Sequence, residues 1–397
     1  MTLNNMLTTR KVYLVEGKRT PFGKFGGSLK DVSPVDLAVH ATRGVLSSAQ
    51  VDPQSIDHFV LGNVVPTTTD TLYGGRHLAL KAGGREDVPG YCVNRLCGSG
   101  AQSILEAMRL ILLGDARSVI AAGSENMSNV PQLVYGSRFG TKYGPLKTVD
   151  MLLDSLTDKN AGCAMGQTAE NLAEKYGISR KEAEEFSVES HKRAFAAISE
   201  GHINEEILAF ETKRGVVEKD EHVRGDVSLE GMSSLRPSFK EGGVVTPATA
   251  SGIVDGASSC LIAGEDFINE KSLTPLARVL DGVVVGVDPT IMGIGPVPAI
   301  RAILERNNLK IGDIDLFEIN EAFAAQTLAC VKELNLNTEK LNVWGGAIAY
   351  GHPLAASGNR ITLTLARQLK ARGLKKGIAS ACIGGGQGIA LYIEALS

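Results

Sequence analysis

Hydrophobic residues recur along the chain with the two spacings that distinguish helices from strands. The clearest helical face comprises Ile104, Leu105, Met108, Ile111 and Leu112. Apolar runs of strand length lie at residues 119–122 and 378–381. Near both ends of the chain the pattern predicts a helix, a polar turn, a strand, a glycine-rich turn, a buried helix and another strand. Strands that alternate with helices indicate a layered α/β protein.

The two end regions also resemble each other in sequence. Residues 55–59, Ser-Ile-Asp-His-Phe, match residues 313–317, Asp-Ile-Asp-Leu-Phe, at an offset of 258 positions. The same offset aligns Cys-Gly-Ser-Gly at 97–100 with Ala-Ala-Ser-Gly at 355–358, and Arg43 with Arg301. Because the matches share one register, we predict a duplicated α/β unit.

The region between the two repeats has a different character. Tyrosines and charged residues become more frequent there, and residues 211–240 are strongly charged. We therefore predict an inserted loop domain at 129–253. The N-terminal half would comprise 1–128 and 254–274, and the C-terminal half 275–397. Ser179 precedes acidic residues at the start of a helical pattern and is predicted to cap that helix, so the insertion is folded.

Composition narrows the possible functions. The chain has 397 residues, 43% hydrophobic and 21% charged, and a net charge of -3, which gives no reason to expect nucleic-acid binding. None of its six cysteines forms a Cys-x-x-Cys pair, which argues against a structural zinc site and a disulfide scaffold and favours a reducing compartment.

No apolar run reaches the ~18 residues of a membrane span, and residues 1–10 lack the apolar segment of a signal peptide. We expect a cytoplasmic protein, or a mitochondrial one in a eukaryote.

Cys97 is the first candidate for chemistry. It lies in Asn-Arg-Leu-Cys-Gly-Ser-Gly at 94–100, directly before the helical pattern. A thiol at a helix start faces unpaired backbone N–H groups and the positive end of the helix dipole, which both favour the thiolate. The alternative is a small buried core residue. The adjacent glycines permit the tight turn that a nucleophile needs and so favour the first interpretation.

Three further segments carry polar groups at predicted turns. His352, between Gly351 and Pro353, could take a proton from Cys97, although a single histidine can also be structural. Asn320 follows a predicted strand and could orient a water or an oxyanion, or simply form the turn. Cys382 begins a glycine-rich turn whose Gly384 N–H could bind a developing negative charge. The alternatives for this turn are a phosphate-binding loop or a plain strand end.

Together these segments resemble the signature segments of the thiolase family, in the family's order and spacing. They are 94–100, 320–323, 351–353 and 382–388, within a resemblance that covers 11–396. The resemblance implies a duplicated five-layered α-β-α-β-α fold and a homodimer or homotetramer. It also implies that coenzyme A and acyl-CoA are substrates, that the inserted loop domain at 129–253 binds coenzyme A, and that no cofactor is tightly bound.

The resemblance also assigns roles to single residues. Cys97 would accept the acyl group, and His352 would activate it. Asn320 would hold a water that, with His352, stabilises the enolate oxyanion. Cys382 would protonate the departing acetyl-CoA carbanion or, in the reverse direction, remove a proton from the methyl group of acetyl-CoA. The N–H groups of Cys97 and Gly384 would hold the tetrahedral intermediate.

Substrate contacts follow from the same comparison. Ser251 would contact the pantetheine arm and Arg224 the nucleotide of coenzyme A, although Ser251 could merely cap a helix and Arg224 could be a surface charge. The predicted apolar walls are Leu156, Met165, Phe239, Met292 and Phe323, each of which could instead be ordinary core.

Two departures from the family pattern bear on the substrate. Members committed to acetoacetyl-CoA typically carry histidine where this chain has Ala164, and the usual asparagine of the Ser251 segment is Thr249 here. The first departure argues against strict use of acetoacetyl-CoA. Residues 138–142 are more similar to the 3-ketoacyl-CoA thiolases of fatty-acid β-oxidation. We therefore predict an acetyl-CoA C-acyltransferase that reversibly cleaves 3-ketoacyl-CoA with coenzyme A, and also interconverts acetoacetyl-CoA and acetyl-CoA, through an acyl-cysteine and ping-pong kinetics.

Four alternative functions can be compared with these residues. The nearest is a strict acetyl-CoA acetyltransferase, and a more distant one is a non-catalytic acyl-CoA-binding relative. A ketoacyl synthase would not need Cys382. A dinucleotide dehydrogenase would need a Gly-x-Gly-x-x-Gly turn after its first strand, which the sequence lacks.

Overall fold

The computed structural model describes residues 10–140 and 143–396. Residues 1–9, most of the N-terminal segment that lacks a signal peptide pattern, lie outside the described residues. Residues 141–142, which belong to the segment 138–142 that resembles 3-ketoacyl-CoA thiolases, also lie outside them. The strands in chain order are β1 (Val12–Arg19), β2 (Gly23–Lys24), β3 (His58–Gly62), β4 (Gly90–Val93), β5 (Ser118–Glu125), β6 (Gln132–Val134), β7 (Thr148–Asp150), β8 (Thr157–Asp158), β9 (Cys163–Ala164), β10 (Phe210–Thr212), β11 (Gly215–Val217), β12 (Val254–Gly264), β13 (Ala277–Gly286), β14 (Leu316–Ile319), β15 (Lys376–Ile383) and β16 (Gln387–Ala395).

Helices alternate with these strands, as the hydrophobic pattern predicted. They are α1 (Pro34–Ala49), α2 (Gly74–Ala82), α3 (Ser99–Leu113), α4 (Met151–Ser155), α5 (Met165–Tyr176), α6 (Arg180–Ser199), α7 (Leu229–Ser233), α8 (Glu265–Lys271), α9 (Pro296–Arg306), α10 (Ala324–Leu334), α11 (Ala347–Tyr350) and α12 (Leu354–Arg372). Ten strands form one mixed sheet in the order β14-β15-β16-β13-β1-β12-β5-β3-β4, with β2 paired to β12.

The duplication is present in the strand registers. β3 runs parallel to β5 with His58 opposite Val119, and β14 runs parallel to β15 with Leu316 opposite Gly377. Both residues of the second pair lie 258 positions after those of the first, the offset found in the sequence. In each half the second of these strands then pairs antiparallel with the next strand of the sheet, β12 or β16.

The two halves of the sheet face each other across α3 and α12. Ile104 of α3 and Leu363 of α12 share one apolar core with Val119 of the first half and Ile389 of the second. The outer face of the first half is covered by α1 and α2, and that of the second by α9 and α10. Along β5 alternate side chains enter the central and the outer core, as a strand buried on both faces requires. The predicted five-layered fold is confirmed.

Two glycines allow the central helices to approach closely. A Cβ atom on Gly100 would lie 2.5 Å from the carbonyl oxygen of Ala355, and one on Gly358 would lie 2.4 Å from the backbone nitrogen of Ala101. These glycines are counterparts in the repeat. Gly100 lies in the first turn of α3 and Gly358 at the start of the second turn of α12, so their small size lets the N-terminal ends of the two helices approach each other.

The region between β5 and β12 contains small hairpins and the helices α4 to α7. Ser179 and Glu182 form the predicted capping box at the start of α6. The domain boundaries at 128/129 and 253/254 stay a prediction. Among the described residues one segment, Leu96–Leu113, passes a length and composition test for a membrane span, but 61% of it is buried inside the protein. It coincides with α3 and is a core helix.

Candidate active site

Cys97 lies in a tight turn between β4 and α3. Leu96 has a φ of +45°, a left-handed value that few residues with side chains adopt. Its N–H donates to Oδ1 of Asn94 at 3.0 Å, and its carbonyl accepts from the N–H of Ser99 at 2.9 Å. A Cβ on Gly98 would lie 2.5 Å from Cδ1 of Ile383. The turn therefore stores strain at Leu96 and packs closely against Ile383 at Gly98, as a nucleophile turn does.

The electrostatics of this thiol differ from the expectation. Burial raises the pKa of Cys97 to about 11, the N–H groups of Gly384 and of Cys97 itself oppose the rise, and the Glu125 carboxylate adds to it. We expected the helix start to favour the thiolate. Loss of hydration outweighs the N–H groups here, so the resting nucleophile is a neutral thiol. A Cβ on Gly384 would lie 3.0 Å from Cδ1 of Leu96, so the C-terminal glycine turn lies against the turn of the nucleophile.

His352 is fixed at both its backbone and its ring. Its N–H donates to the carbonyl of Gly252 at 2.9 Å, and its Nδ1 lies 2.5 Å from Oγ of Ser357. Ser357 Oγ also lies 3.0 Å from the carbonyl of Pro353, to which it donates its only proton. The hydroxyl must then accept from Nδ1–H, which leaves Nε2 with a free lone pair. Burial, and secondarily the charge of Arg360, lower the pKa of His352 to about 3, so the ring is a neutral base.

Asn320 lies against this imidazole. Its Nδ2 is 3.5 Å from Nδ1 and 3.4 Å from Nε2 of His352, so the amide faces the ring without a good hydrogen bond. Its Oδ1 is buried and has no hydrogen-bond partner among the described residues. A buried amide oxygen of this kind is free to accept from a water or a substrate group.

Cys382 approaches from the end of β15. It is fully buried and packs with Met292 and Ala322, while Met165 and Phe323 cover the same cluster. Burial raises the pKa of its thiol well above the usual value, and the proximity of Cys97 adds to the rise. A thiol that stays protonated at neutral pH can act as a proton donor.

The other predicted contacts lie around this centre. Ser251 donates its N–H to the carbonyl of Ala322 at 3.0 Å, so its segment lies beside Asn320 and His352. Leu156 packs in the cluster that contains Cys97. Phe239 is 42% exposed and contacts Gly166, next to Met165.

Arg224 lies farther out, on a surface cavity of about 370 Å³. The cavity is lined by residues of the region between β5 and β12 together with Ile348: His191, His222, Arg224, Ser228, Met232 and Ala248. A Cβ on Gly252 would lie 2.3 Å from Nε2 of His222, so this wall of the cavity adjoins the Ser251 segment. The cavity thus lies beside the segment that contains Ser251. Within residues 10–140 and 143–396, no three His, Cys, Asp or Glu side chains are placed to share a metal ion.

Two residues of the site were missed by the sequence analysis. Ser357 was visible in the repeat of Cys-Gly-Ser-Gly and Ala-Ala-Ser-Gly, but its spacing from His352 was not interpreted. Glu125 ends the apolar strand β5, and a carboxylate at the end of a buried strand was a signal for a site.

Two family models cover nearly the whole chain. The model described as "Thiolase, N-terminal domain" matches residues 12–266, and "Thiolase, C-terminal domain" matches residues 273–395. The chain belongs to the thiolase family.

Individual thiolases match over their full length. The bovine "3-ketoacyl-CoA thiolase, mitochondrial" is 46% identical over 98% of this chain and 99% of its own. The beta-ketothiolase of Cupriavidus necator is 44% identical over 97% of this chain and 99% of its own. The crystal structure of human mitochondrial 3-ketoacyl-CoA thiolase in complex with CoA has a TM-score of 0.96 and 45% identity, and covers 98% of this chain and 99% of that one. The predictions of a thiolase, of an acyltransferase and of coenzyme A as its substrate are confirmed.

Proposed function

We propose that this thiolase reversibly cleaves 3-ketoacyl-CoA with coenzyme A, giving acetyl-CoA and an acyl-CoA two carbons shorter. One observation carries the proposal: the Gly384 turn lies against the Cys97 turn, with a Cβ on Gly384 3.0 Å from Cδ1 of Leu96, and the buried thiol of Cys382 is part of the same glycine turn. A neutral thiol, a neutral imidazole and a second thiol that stays protonated are the groups that thiolysis requires.

The first half-reaction acylates the enzyme. Cys97 gives its proton to Nε2 of His352, and the sulfur attacks the keto carbon of the substrate. The N–H groups of Cys97 and Gly384 donate to the alkoxide that forms. When the carbonyl re-forms, the carbon–carbon bond breaks and its electron pair passes to the acetyl-CoA enolate.

The enolate and the acyl-enzyme are then resolved. His352 and a water held by the free Oδ1 of Asn320 stabilise the enolate oxygen, and Cys382 protonates its carbon to give acetyl-CoA. Coenzyme A next gives its thiol proton to the Cys382 thiolate and attacks the acyl-Cys97 thioester. Cys97 recovers its proton from His352, so protons and electron pairs balance over the cycle. The reverse sequence condenses two acetyl-CoA to acetoacetyl-CoA.

We assign coenzyme A to the cavity beside Arg224. Arg224 would meet its phosphates and Ser251 its pantetheine arm, and the predicted domain 129–253 would supply most of this surface. Leu156, Met165, Phe239, Met292 and Phe323 would enclose the acyl chain. Leu156 packs in the cluster of Cys97, and Met165, Met292 and Phe323 pack in the cluster of Cys382, which supports this assignment.

We further propose that the enzyme accepts 3-ketoacyl-CoA substrates with acyl chains of different lengths. Ala164 stands at the N-cap of α5, directly before Met165 of the Cys382 cluster, and its small side chain leaves room for an acyl chain. Rates of thiolysis for acyl chains from four carbons upward test this point. Turnover of acetoacetyl-CoA alone would favour the alternative, a strict acetyl-CoA acetyltransferase.

We also propose that the protein is a homodimer or a homotetramer. β4 is an edge strand of the large sheet, and the side chains beside it, Leu72, Tyr73 and Tyr91, are 72%, 65% and 37% exposed. An apolar sheet edge is a ready surface for a second copy. Light scattering measures the molecular mass of the wild-type protein and of a Leu72→Glu, Tyr73→Glu variant. We expect an oligomer for the wild type and dissociation of the variant, and a monomeric wild-type protein would contradict the proposal.

We also propose that the protein is located in the cytoplasm, or in the mitochondrion in a eukaryote.

Mass spectrometry tests the proposed function itself. After brief exposure to acetoacetyl-CoA, the peptide containing Cys97 should carry an acetyl group. The same reaction should be absent in Cys97→Ala. Acetylation only at other residues would contradict the assignment, and complete lack of turnover would favour a non-catalytic acyl-CoA-binding relative.

A further inference from the structure

Glu125 is a fully buried carboxylate at the end of β5. Its Oε1 accepts from the N–H of Val65 at 3.0 Å and from Nδ2 of Asn63 at 3.3 Å. Its Oε2 accepts from the N–H of Val64 at 3.1 Å and from the N–H of Ala355 at 3.2 Å. Both oxygens are thus surrounded by donors that belong to two distant parts of the chain.

These donors make the site suited to a carboxylate. No Lys, Arg or His of the described residues forms an ion pair with Glu125, and each of its four partners is an N–H group. A protonated acid would place an O–H against one of these donors and lose a hydrogen bond. Burial raises the pKa of Glu125 above its usual range, and the N–H groups of Val65, Val64 and Ala355 oppose the rise. Because both oxygens meet only N–H donors, we assign the ionised form.

One side of Glu125 leads to the nucleophile. The carbonyl of Val64, whose N–H Glu125 binds, accepts from Nδ2 of Asn94 at 3.0 Å. Oδ1 of Asn94 in turn accepts from the N–H of Leu96 at 3.0 Å. Leu96 holds the left-handed conformation that directly precedes Cys97. Glu125 is therefore tied, through two further hydrogen bonds, to the strained turn that presents the thiol.

The other side leads to the base. Ala355 lies three residues after His352, in the first turn of α12, and Ser357 of the same turn is the partner of the imidazole. The Glu125 carboxylate thus bridges the two turns that carry Cys97 and His352, one from each half of the repeat.

The bridge breaks the internal symmetry of the fold. At the offset of 258 positions the counterpart of Glu125 is Ile383, an apolar residue that contacts the Cys97 turn at Gly98. Only the first half of the repeat therefore has a carboxylate at this position. It occurs once, where the nucleophile and the base must be held together.

We propose that Glu125 is a positioning residue for acylation, which fixes the Cys97 turn relative to the His352 turn. The proposal rests on the proposed function, because it assumes that Cys97 is the acylated group. A displaced nucleophile costs roughly 10²-fold in rate, so Glu125→Gln should lower the acylation rate of Cys97 by about that factor. The KM for the acyl-CoA should stay within about threefold, because substrate contacts are unchanged.

Quenched-flow mass spectrometry of the Cys97 peptide measures this rate, and thermal denaturation checks that the variant folds. Glu170→Gln is the matched control, since Glu170 is a buried carboxylate that accepts two backbone N–H groups, from Val244 and Val245. Acylation of the control should remain within about threefold of wild type. Asn94→Ala is a second test at an exposed residue. It cuts the link to Leu96, leaves the Glu125 bonds in place, and should show the same loss of acylation rate.

The outcomes separate the possibilities. A folded Glu125→Gln variant that acylates at the wild-type rate would overturn the proposal, as would an equal loss in Glu170→Gln. If Glu125→Gln does not fold, Glu125→Asp decides, because it keeps the charge but shortens the side chain that joins the two turns: a slow rate supports the positioning role and a wild-type rate overturns it. Failure of the wild-type protein to acylate Cys97 would instead overturn the proposed function.

Discussion

Oγ of Ser357 lies 2.5 Å from Nδ1 of His352 and donates its proton to the carbonyl of Pro353. This pair decides which ring nitrogen of His352 acts as the base. With Nδ1–H bound to Ser357, Nε2 carries the free lone pair and can accept a proton from a thiol. The hydroxyl group thus acts on the reaction through the tautomer and the orientation of the imidazole.

Ser357→Ala should therefore lower kcat by roughly 10- to 10²-fold with little change in KM, because the ring loses the partner that fixes its tautomer. Steady-state thiolysis of acetoacetyl-CoA measures both constants. Ser103→Ala is the control, since Ser103 is a buried helical serine bound to the carbonyl of Gly100. A larger effect on KM than on kcat in Ser357→Ala would contradict the positioning role.

The resting thiol of Cys97 should react slowly at neutral pH. Because burial raises its pKa to about 11, the thiolate fraction should rise about tenfold per pH unit through the neutral and mildly alkaline range. Iodoacetamide labelling of the Cys97 peptide at increasing pH measures this, with Cys97→Ala as the background. A rate that levels off below about pH 8 would indicate a preformed thiolate instead.

Cys382→Ser should separate the two chemical tasks. The hydroxyl of serine is too weak an acid to protonate the enolate carbon in place of the thiol. Thiolysis of acetoacetyl-CoA should therefore fall by roughly 10²- to 10⁴-fold. Transfer of an acetyl group from acetyl-CoA to Cys97 should persist, which mass spectrometry can follow. Cys330→Ser is a matched control, because Cys330 is a buried thiol that donates to the carbonyl of Gly293. Equal losses in both variants would contradict a role specific to Cys382.

Gly358→Ala should destabilise the protein. Its added Cβ would meet the backbone of Ala101 at 2.4 Å, and overpacking of this kind costs about 1–3 kcal/mol in the free energy of unfolding. Gly312→Ala has nothing within 4 Å of its added Cβ and should change that energy by less than about 0.5 kcal/mol. Urea denaturation measures both. Equal stability of the two variants would show that the central helices can separate without cost.

The duplication, the alternation of helices and strands and the position of Cys97 before a helix were all predictable from the sequence. Each depends on residue order alone: periodicity reports on which faces are apolar, and the offset of 258 appears unchanged in the strand registers. The grouping of Cys97, His352, Asn320 and Cys382 came from a family resemblance, since no local pattern relates turns so far apart.

The tertiary structure alone decided the protonation states and the connections between turns. A helix start favours a thiolate, but the thiol of Cys97 is neutral because the desolvation penalty depends on what surrounds it in space. The same holds for the pairing of Ser357 with His352, and for Glu125, which binds Val64 and Ala355 from opposite halves of the fold. Short-range sequence patterns encode secondary structure, whereas hydration and contacts across more than two hundred residues exist only once the two halves have packed.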